Sequence, residues 1–228
     1  MRDNGLSPLY YTGNHGLLNI SYQSRTDSRT SNLEIEFLIG DITPSNYPEL
    51  SLSEIRNNKT AIRYSYQRLA PNVMEHGKLF LGGKWETQFA YYIHNQFENS
   101  SMNNFFINTL NLSGSLSYPL KTNEQKYLMI FQADLPIVAF IVRPSYAYIK
   151  PKGFLDHSQP DIQKLMNSIE VSSFDRFSGM STGVSFEYRL KNNHSLRIGY
   201  NWEYWNHQNS NPLKSATHGI MLQTMFNL

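Results

Sequence analysis

The sequence predicts an all-β fold, a single antiparallel up-and-down barrel of about ten strands, with roughly eight to twelve as the range. Three observations predict it. Apolar and polar residues alternate with period two through segment after segment, as a strand with one apolar and one polar face requires. No run of about eighteen apolar residues is present, so no helix can cross a membrane. Aromatic residues make up 14 % of the 228, fifteen of them tyrosines, against only 17 % charged, a mix that suits strands and amphipathic rings at an interface. The formal charge of +2 and the lack of any Lys/Arg run speak against nucleic acid. With no cysteine there is no disulfide framework and no thiolate metal site.

The alternation defines nine strands in order. Gly16–Gln23 sets Leu18, Ile20 and Tyr22 against Asn19, Ser21 and Gln23. Asn32–Ile39 sets Leu33, Ile35, Phe37 and Ile39 against Glu34 and Glu36. Ala61–Arg68 opposes Ile62, Tyr64 and Tyr66 to Arg63, Ser65 and Gln67. Lys78–Tyr92 opposes Trp85, Phe89 and Tyr91 to Lys84, Glu86 and Gln88. Thr109–Tyr118 alternates Leu110, Leu112, Leu116 and Tyr118 with Asn111 and serines. Tyr127–Arg143 alternates only in its first half and is apolar on both faces in its second. Gly183–Leu190 opposes Val184, Phe186 and Tyr188 to Glu187 and Arg189. His194–Trp205 opposes Leu196, Ile198, Tyr200, Trp202 and Tyr204 to Arg197 and Glu203. The last strand, Gly219–Leu228, carries Ile220, Leu222, Thr224, Phe226 and Leu228 on one face.

The connections decide which face looks outward. They run short, long, short, long: "SRTDSRT", then Asp41 to about Asn58; "LAPNVMEHG", then His94–Asn103; "PLKTNEQ", then Pro144–Arg176; "KNN", then Asn206–Ala216. A soluble barrel has no reason to keep every second connection short, whereas a barrel crossing an outer membrane has short periplasmic turns and long extracellular loops. The fold class is therefore a transmembrane barrel with its apolar face toward lipid. Two loops are expected to hold short helices: one capped by Ser158 with Ile162, Leu165, Met166 and Ile169 on one face, and a weaker one at "LSLSEIRN".

With that orientation Glu34, Glu36, Arg63, Lys84, Glu86, Glu187, Arg189, Arg197 and Glu203 form a lumen charge network, where alternating signs at matched heights supply each charge with a partner. Tyr22, Tyr64, Tyr66, Trp85, Phe89, Tyr118, Tyr127, Tyr188, Trp202 and Tyr204 are expected near the strand ends as two aromatic girdles at the lipid–water boundaries.

On these residues the chain resembles the bacterial outer-membrane β-barrels. Its end, "GIMLQTMFNL", is similar to the C-terminal signal strand of that class, with the departure that Asn227 and Leu228 follow the aromatic Phe226. The opening "GLSPLYYTG" followed by an amphipathic strand resembles barrels of Bacteroidetes-type bacteria. The resemblance implies an outer-membrane location in a Gram-negative bacterium, with a bilayer as partner and insertion by the barrel-assembly machinery. It leaves the extracellular loops open to a protein partner.

Residues 1–228 read as one barrel domain with an incomplete N-terminal strand. Nine strands cannot close an even barrel, so either Leu6–Thr12 supplies a short tenth, or an N-terminal segment and its signal have been removed. A charged lumen of this size is plugged by its own side chains, and the expected role is non-enzymatic: a structural or accessory barrel or a narrow, porin-like gated pore, with no cofactor. Two alternatives stand beside it. One is a lipid hydrolase using rim serine and histidine, for which His94, His207 and His218 are the candidates, although no stretch resembles the known hydrolase motifs. The other is a soluble lipocalin-like barrel binding an apolar ligand. Asp156, Asp161 and Asp175 lack calcium-loop spacing, and the remaining histidines, His15, His76, His157 and His194, suggest no site.

Overall fold

Alternation decides which side of a strand each residue takes, and the pairing shows how far that alternation runs. A computed structural model describes residues 1–3, 7–45, 54–71, 76–94, 102–120, 127–143, 168–190, 194–208 and 212–226. The strands are β1 (Arg2–Asp3), β2 (Ser7–Arg25), β3 (Arg29–Pro44), β4 (Ile55–Leu69), β5 (Lys78–His94), β6 (Met102–Leu120), β7 (Tyr127–Val142), β8 (Ile169–Ser172), β9 (Phe177–Arg189), β10 (Ser195–His207) and β11 (Leu213–Met225). They make one antiparallel up-and-down sheet that curls into a nearly closed barrel. β8 lies beside the end of β7 and β9 beside its start, so the two form one strand interrupted by the turn at 173–176. β1 is wedged between β2 and β11, with Arg2 opposite both Tyr10 and Lys214.

Every expected strand is present, but most are longer than expected. β2 begins at Ser7 rather than Gly16, and β4 at Ile55 rather than Ala61. Most of the extra residues lie at the long-loop end, and they shorten the loops there. The connection 208–212 is no longer than 190–194, and most of the length asymmetry rests on residues 143–168. Ile169 and Glu170, at the end of one expected helix, and Ile55–Asn57, at the end of the other, are strand instead. Apart from Glu54 and Ser168, the rest of both helices, with Asp156, Asp161, His157 and Leu228, lies outside the described residues.

The reason for the missed extensions is an inversion of polarity along the barrel. In the half nearer the short turns, apolar side chains point out and charged ones in. In the half nearer the long loops, Thr12, Asn14, Asp41, Thr43, Arg56 and Lys214 are exposed on the outer face. The inner face there is apolar: Tyr11, Ile42, Ile55, Phe105, Trp205 and Leu213 belong to one buried cluster. Phe105 and Trp205 stack with ring centroids 5.4 Å apart, and Phe177 flanks the same indole at 6.3 Å. A pattern followed with one fixed face fades where the faces exchange. The doubly apolar second half of β7 has a second cause. The register shifts between Leu110 and Asn111 of β6, so the inward set changes from Asp134 and Pro136 to Ala139 and Ile141.

His207 closes this end. It is fully buried, with Nε2 3.3 Å from Oε1 of Glu170. Burial pushes its imidazole below the ordinary histidine range, with Arg143 and Arg176 acting in the same direction and Glu170 against. The folded state therefore binds the proton less readily than the unfolded chain, and stability falls as pH drops below about 6.5. The unfolding midpoint of the wild type should drop between about pH 7 and pH 5 more steeply than that of His207→Gln. Parallel slopes in a thermal melt series would contradict this.

Candidate functional site

The inward face of the short-turn half holds the densest chemistry among the described residues. β3 supplies Glu34 and Glu36, β4 supplies Lys59 and Arg63, β5 supplies Lys84, Glu86 and Gln88, β7 supplies Asp134 and β10 supplies Glu203. Register builds the centre: Arg63 stands between Glu34 on β3 and Glu86 on β5, while Ala61, one inward position further along, leaves room beside it. The guanidinium lies 3.2 Å from Glu34, 2.9 Å from Glu36, 2.9 Å from Glu86 and 3.9 Å from Glu203. Lys84 bridges Glu86 at 3.4 Å and Asp134 at 2.9 Å. Ser113 donates to Asp134, and Gln67 donates to Ser113 at 2.7 Å.

The contacts cross the lumen as well as following the sheet. Lys59 reaches Glu203 at 3.4 Å and Gln88 donates to the same carboxylate at 3.0 Å, joining β4 and β5 to β10. Nearer the short turns Arg25 of β2 donates to Ser117 of β6 at 2.8 Å. Arg63, Lys84, Glu36, Glu86 and Asp134 are all buried. Such charges persist only when paired and hydrogen-bonded, and here the pairing is a set of braces that ties strands together across the barrel interior. Above the braces lies a cavity of about 550 Å³, lined by Tyr11, His15, Asn57, Lys59, Glu203 and Trp205 among others.

The structure divides the expected network. Glu34, Glu36, Arg63, Lys84, Glu86 and Glu203 come together, whereas Glu187 and Arg197 form a separate pair at 2.7 Å nearer the short turns, from which Arg197 also reaches Gln23 at 3.3 Å. Arg189 stands exposed at the short-turn mouth, apart from both groups among the described residues. Sequence reasoning missed Lys59 and Gln88 as members. Gln88 was on the polar face but uncharged. Lys59 precedes the expected start of its strand, although its odd parity with Arg63 marks it as inward.

All ten girdle aromatics lie on the outward parity of their strands. Tyr127 packs on Tyr188 at 5.0 Å beside the short turns, and Trp202 stacks on Tyr204 at 6.2 Å toward the other end. Arg68 covers the Tyr66 ring at 5.8 Å. Tyr64 and Trp85 differ from expectation: they face each other in mid-strand rather than at strand ends, because the strands extend beyond the apolar belt. Ile220, Leu222 and Phe226 point outward as expected of the last strand and are highly exposed.

The histidines considered for chemistry are separated. His207 points inward and is buried, while His218 is on the outer face, its Nδ1 2.6 Å from the Tyr200 hydroxyl. His15 Nε2 meets Asn57 at 3.2 Å inside the barrel. Among the described residues no group of three or more His, Asp or Glu is placed to hold a metal ion. The chain matches no protein-family model, and no curated protein matches it.

Proposed function

We propose that the protein is an integral membrane barrel of the bacterial outer-membrane type, its lumen closed by its own side chains, serving as a non-enzymatic structural or accessory barrel. The polarity inversion carries this reading. The outward apolar residues form a belt bounded by Arg29 and Arg68 on the short-turn side and by Asp41 and Arg56 on the other. At about 3.3 Å per residue and a tilt of about 40°, the rise from Arg68 to Arg56 is about 30 Å, enough to contain the apolar band of about 25 Å that a membrane barrel carries. Beyond the belt the barrel reverts to a water-soluble pattern, apolar inside and polar outside. On this reading the part of the barrel with Trp205 and His207 projects outside the bilayer and carries the loops to a partner, and the assembly machinery reads β11. The lumen braces favour a plug over an open pore, and conduction would need the Arg63 cluster to rearrange.

One observation favours the soluble, apolar-ligand reading: a 550 Å³ cavity beneath the aromatic cap. The outer belt separates the two. Ile62→Arg places a charge in the belt between Ile35 and Thr87. In a bilayer it should cost about 2–4 kcal/mol of folding free energy, read as a lower urea midpoint in lipid vesicles. A neutral effect in vesicles, together with good solubility without detergent, would favour the soluble barrel.

A further inference from the structure

The barrel has one seam. β2 and β11 run in the same direction, and in an up-and-down sheet two parallel neighbours require a strand of opposite direction between them. Among the described residues only Arg2–Asp3 fills that place, at the long-loop end. Past it, among the described residues, β2 pairs only with β3 and β11 only with β10. The side chains of β11 carry the mark of a missing neighbour. Ile220 and Leu222 on β11 are 79 % and 80 % exposed, whereas the most exposed outward apolar residues of strands paired on both sides, such as Ile39 on β3, Leu112 on β6 and Ile198 on β10, are 65 %, 58 % and 56 %. The 550 Å³ cavity is lined by Thr217 and Gly219 and also by their outward neighbours His218 and Ile220, so it opens sideways through this seam.

We propose that the seam is the seat of a tenth full strand supplied in cis, by polypeptide joined to the amino side of Met1. Register fixes its place. Met1 already exchanges both backbone hydrogen bonds with Tyr11, at 2.6 and 2.7 Å. Arg2 opposite Lys214 puts Met1 opposite Ser215. Continuing the two ladders residue by residue, the eighth position before Met1 falls opposite Asn19 on one edge (11 + 8) and Gln223 on the other (215 + 8). These two residues, from opposite edges, already reach each other: Gln223 donates to Asn19 at 3.2 Å. The gap thus has matched edges whose long side chains meet across it, as expected for a width of one strand, about 10 Å between the flanking backbones. The open interval runs over ten positions, Thr12–Ser21 against Ala216–Met225.

The cis assignment follows from the Met1 nitrogen. Joined to a preceding residue it becomes a peptide N–H that keeps its bond to Tyr11. A strand arriving from another protein would meet that ammonium end-on and bury it. The strand that fits presents apolar side chains outward beside Leu18 and Ile220. Inward it presents small or polar ones, with a small or hydrogen-bonding residue at the position between Asn19 and Gln223.

The proposal rests on barrel geometry and not on the membrane reading, so its tests are separable from that one. The first is the intact mass of the mature protein isolated from its own cells. The mass should exceed 26.4 kDa by at least ten residues on the amino side of Met1, and a mature chain of 26.4 kDa overturns the proposal. The second uses the lack of native cysteine. In that longer protein a cysteine at the eighth position before Met1 should form a disulfide with Gln223→Cys on oxidation. A cysteine at the seventh position, on the opposite face, should not. Equal cross-linking of both, or of neither, overturns it. So does a free ten-residue peptide of the same sequence that cross-links to the 228-residue chain as completely as the joined segment, since the occupant would then act in trans.

Discussion

Replacing Arg63 with leucine is expected to destabilise the barrel by about 3–5 kcal/mol, the cost of leaving buried charges without their partner. Arg63 is buried within ion-pair distance of Glu34, Glu36, Glu86 and Glu203. Lys59 and Lys84 neutralise the edges of the cluster, but neither stands between Glu34 and Glu86 as Arg63 does. The loss comes mainly from carboxylates that remain buried and repel one another, which gives a second, sharper expectation. Glu86→Gln in the Arg63→Leu background should recover part of the loss, although Glu86→Gln alone is destabilising. Urea unfolding of the refolded protein in detergent measures both. A loss under about 1 kcal/mol for Arg63→Leu would mean that water, and not the guanidinium, compensates these carboxylates.

Trp205→Ala should cost a comparable amount, about 3–5 kcal/mol, as large-to-small changes at packed aromatic positions do. The indole is stacked between Phe105 and Phe177 inside the long-loop end of the barrel. Its removal opens a void in a cluster that also contains Tyr11, Ile55 and Leu213. Trp205→Phe keeps an aromatic face for both partners and should cost markedly less. Because the cluster joins β2, β4, β6, β9, β10 and β11 at one end, the alanine variant should expose that end first. Hydrogen exchange of the β10 amides near His207 should then accelerate more than that of those near Arg197. Uniform acceleration along β10 would contradict a local cap.

The short-turn half of the fold was legible because three signals agree there: strict alternation, turn residues, and charges confined to one face. Glu34, Arg63 and Glu86 could be placed in one lumen from parity alone, since a strand offers only two sides. The long-loop half was not legible, and the reason is physical. Tyr11, Phe105 and Trp205 point inward where the pattern learned near the short turns says that apolar residues point outward. The inner and outer faces of these strands exchange polarity along their length, and a pattern with one fixed face reads the exchange as a loop. The apparent loop-length asymmetry was largely this effect. Parity itself survived the exchange, as Lys59 and Arg63 show. Contacts across the lumen, such as Gln88 with Glu203, were not legible, because they depend on which strands face each other across the barrel rather than on neighbours in sequence.

The central claim is that the outward belt of the short-turn half lies in lipid. Trp85 is in that belt, 40 % exposed on the outer face, and Trp205 is buried inside the barrel. The three tryptophans are the only ones in the chain, so two single-tryptophan proteins, Trp202→Phe with Trp205→Phe and Trp202→Phe with Trp85→Phe, isolate each indole. Reconstituted in vesicles of phospholipid brominated on the acyl chains, the protein retaining Trp85 should lose most of its fluorescence, while the one retaining Trp205 should keep it. Equal fluorescence of the Trp85 protein in brominated and unbrominated vesicles would place the belt in water and contradict the membrane reading.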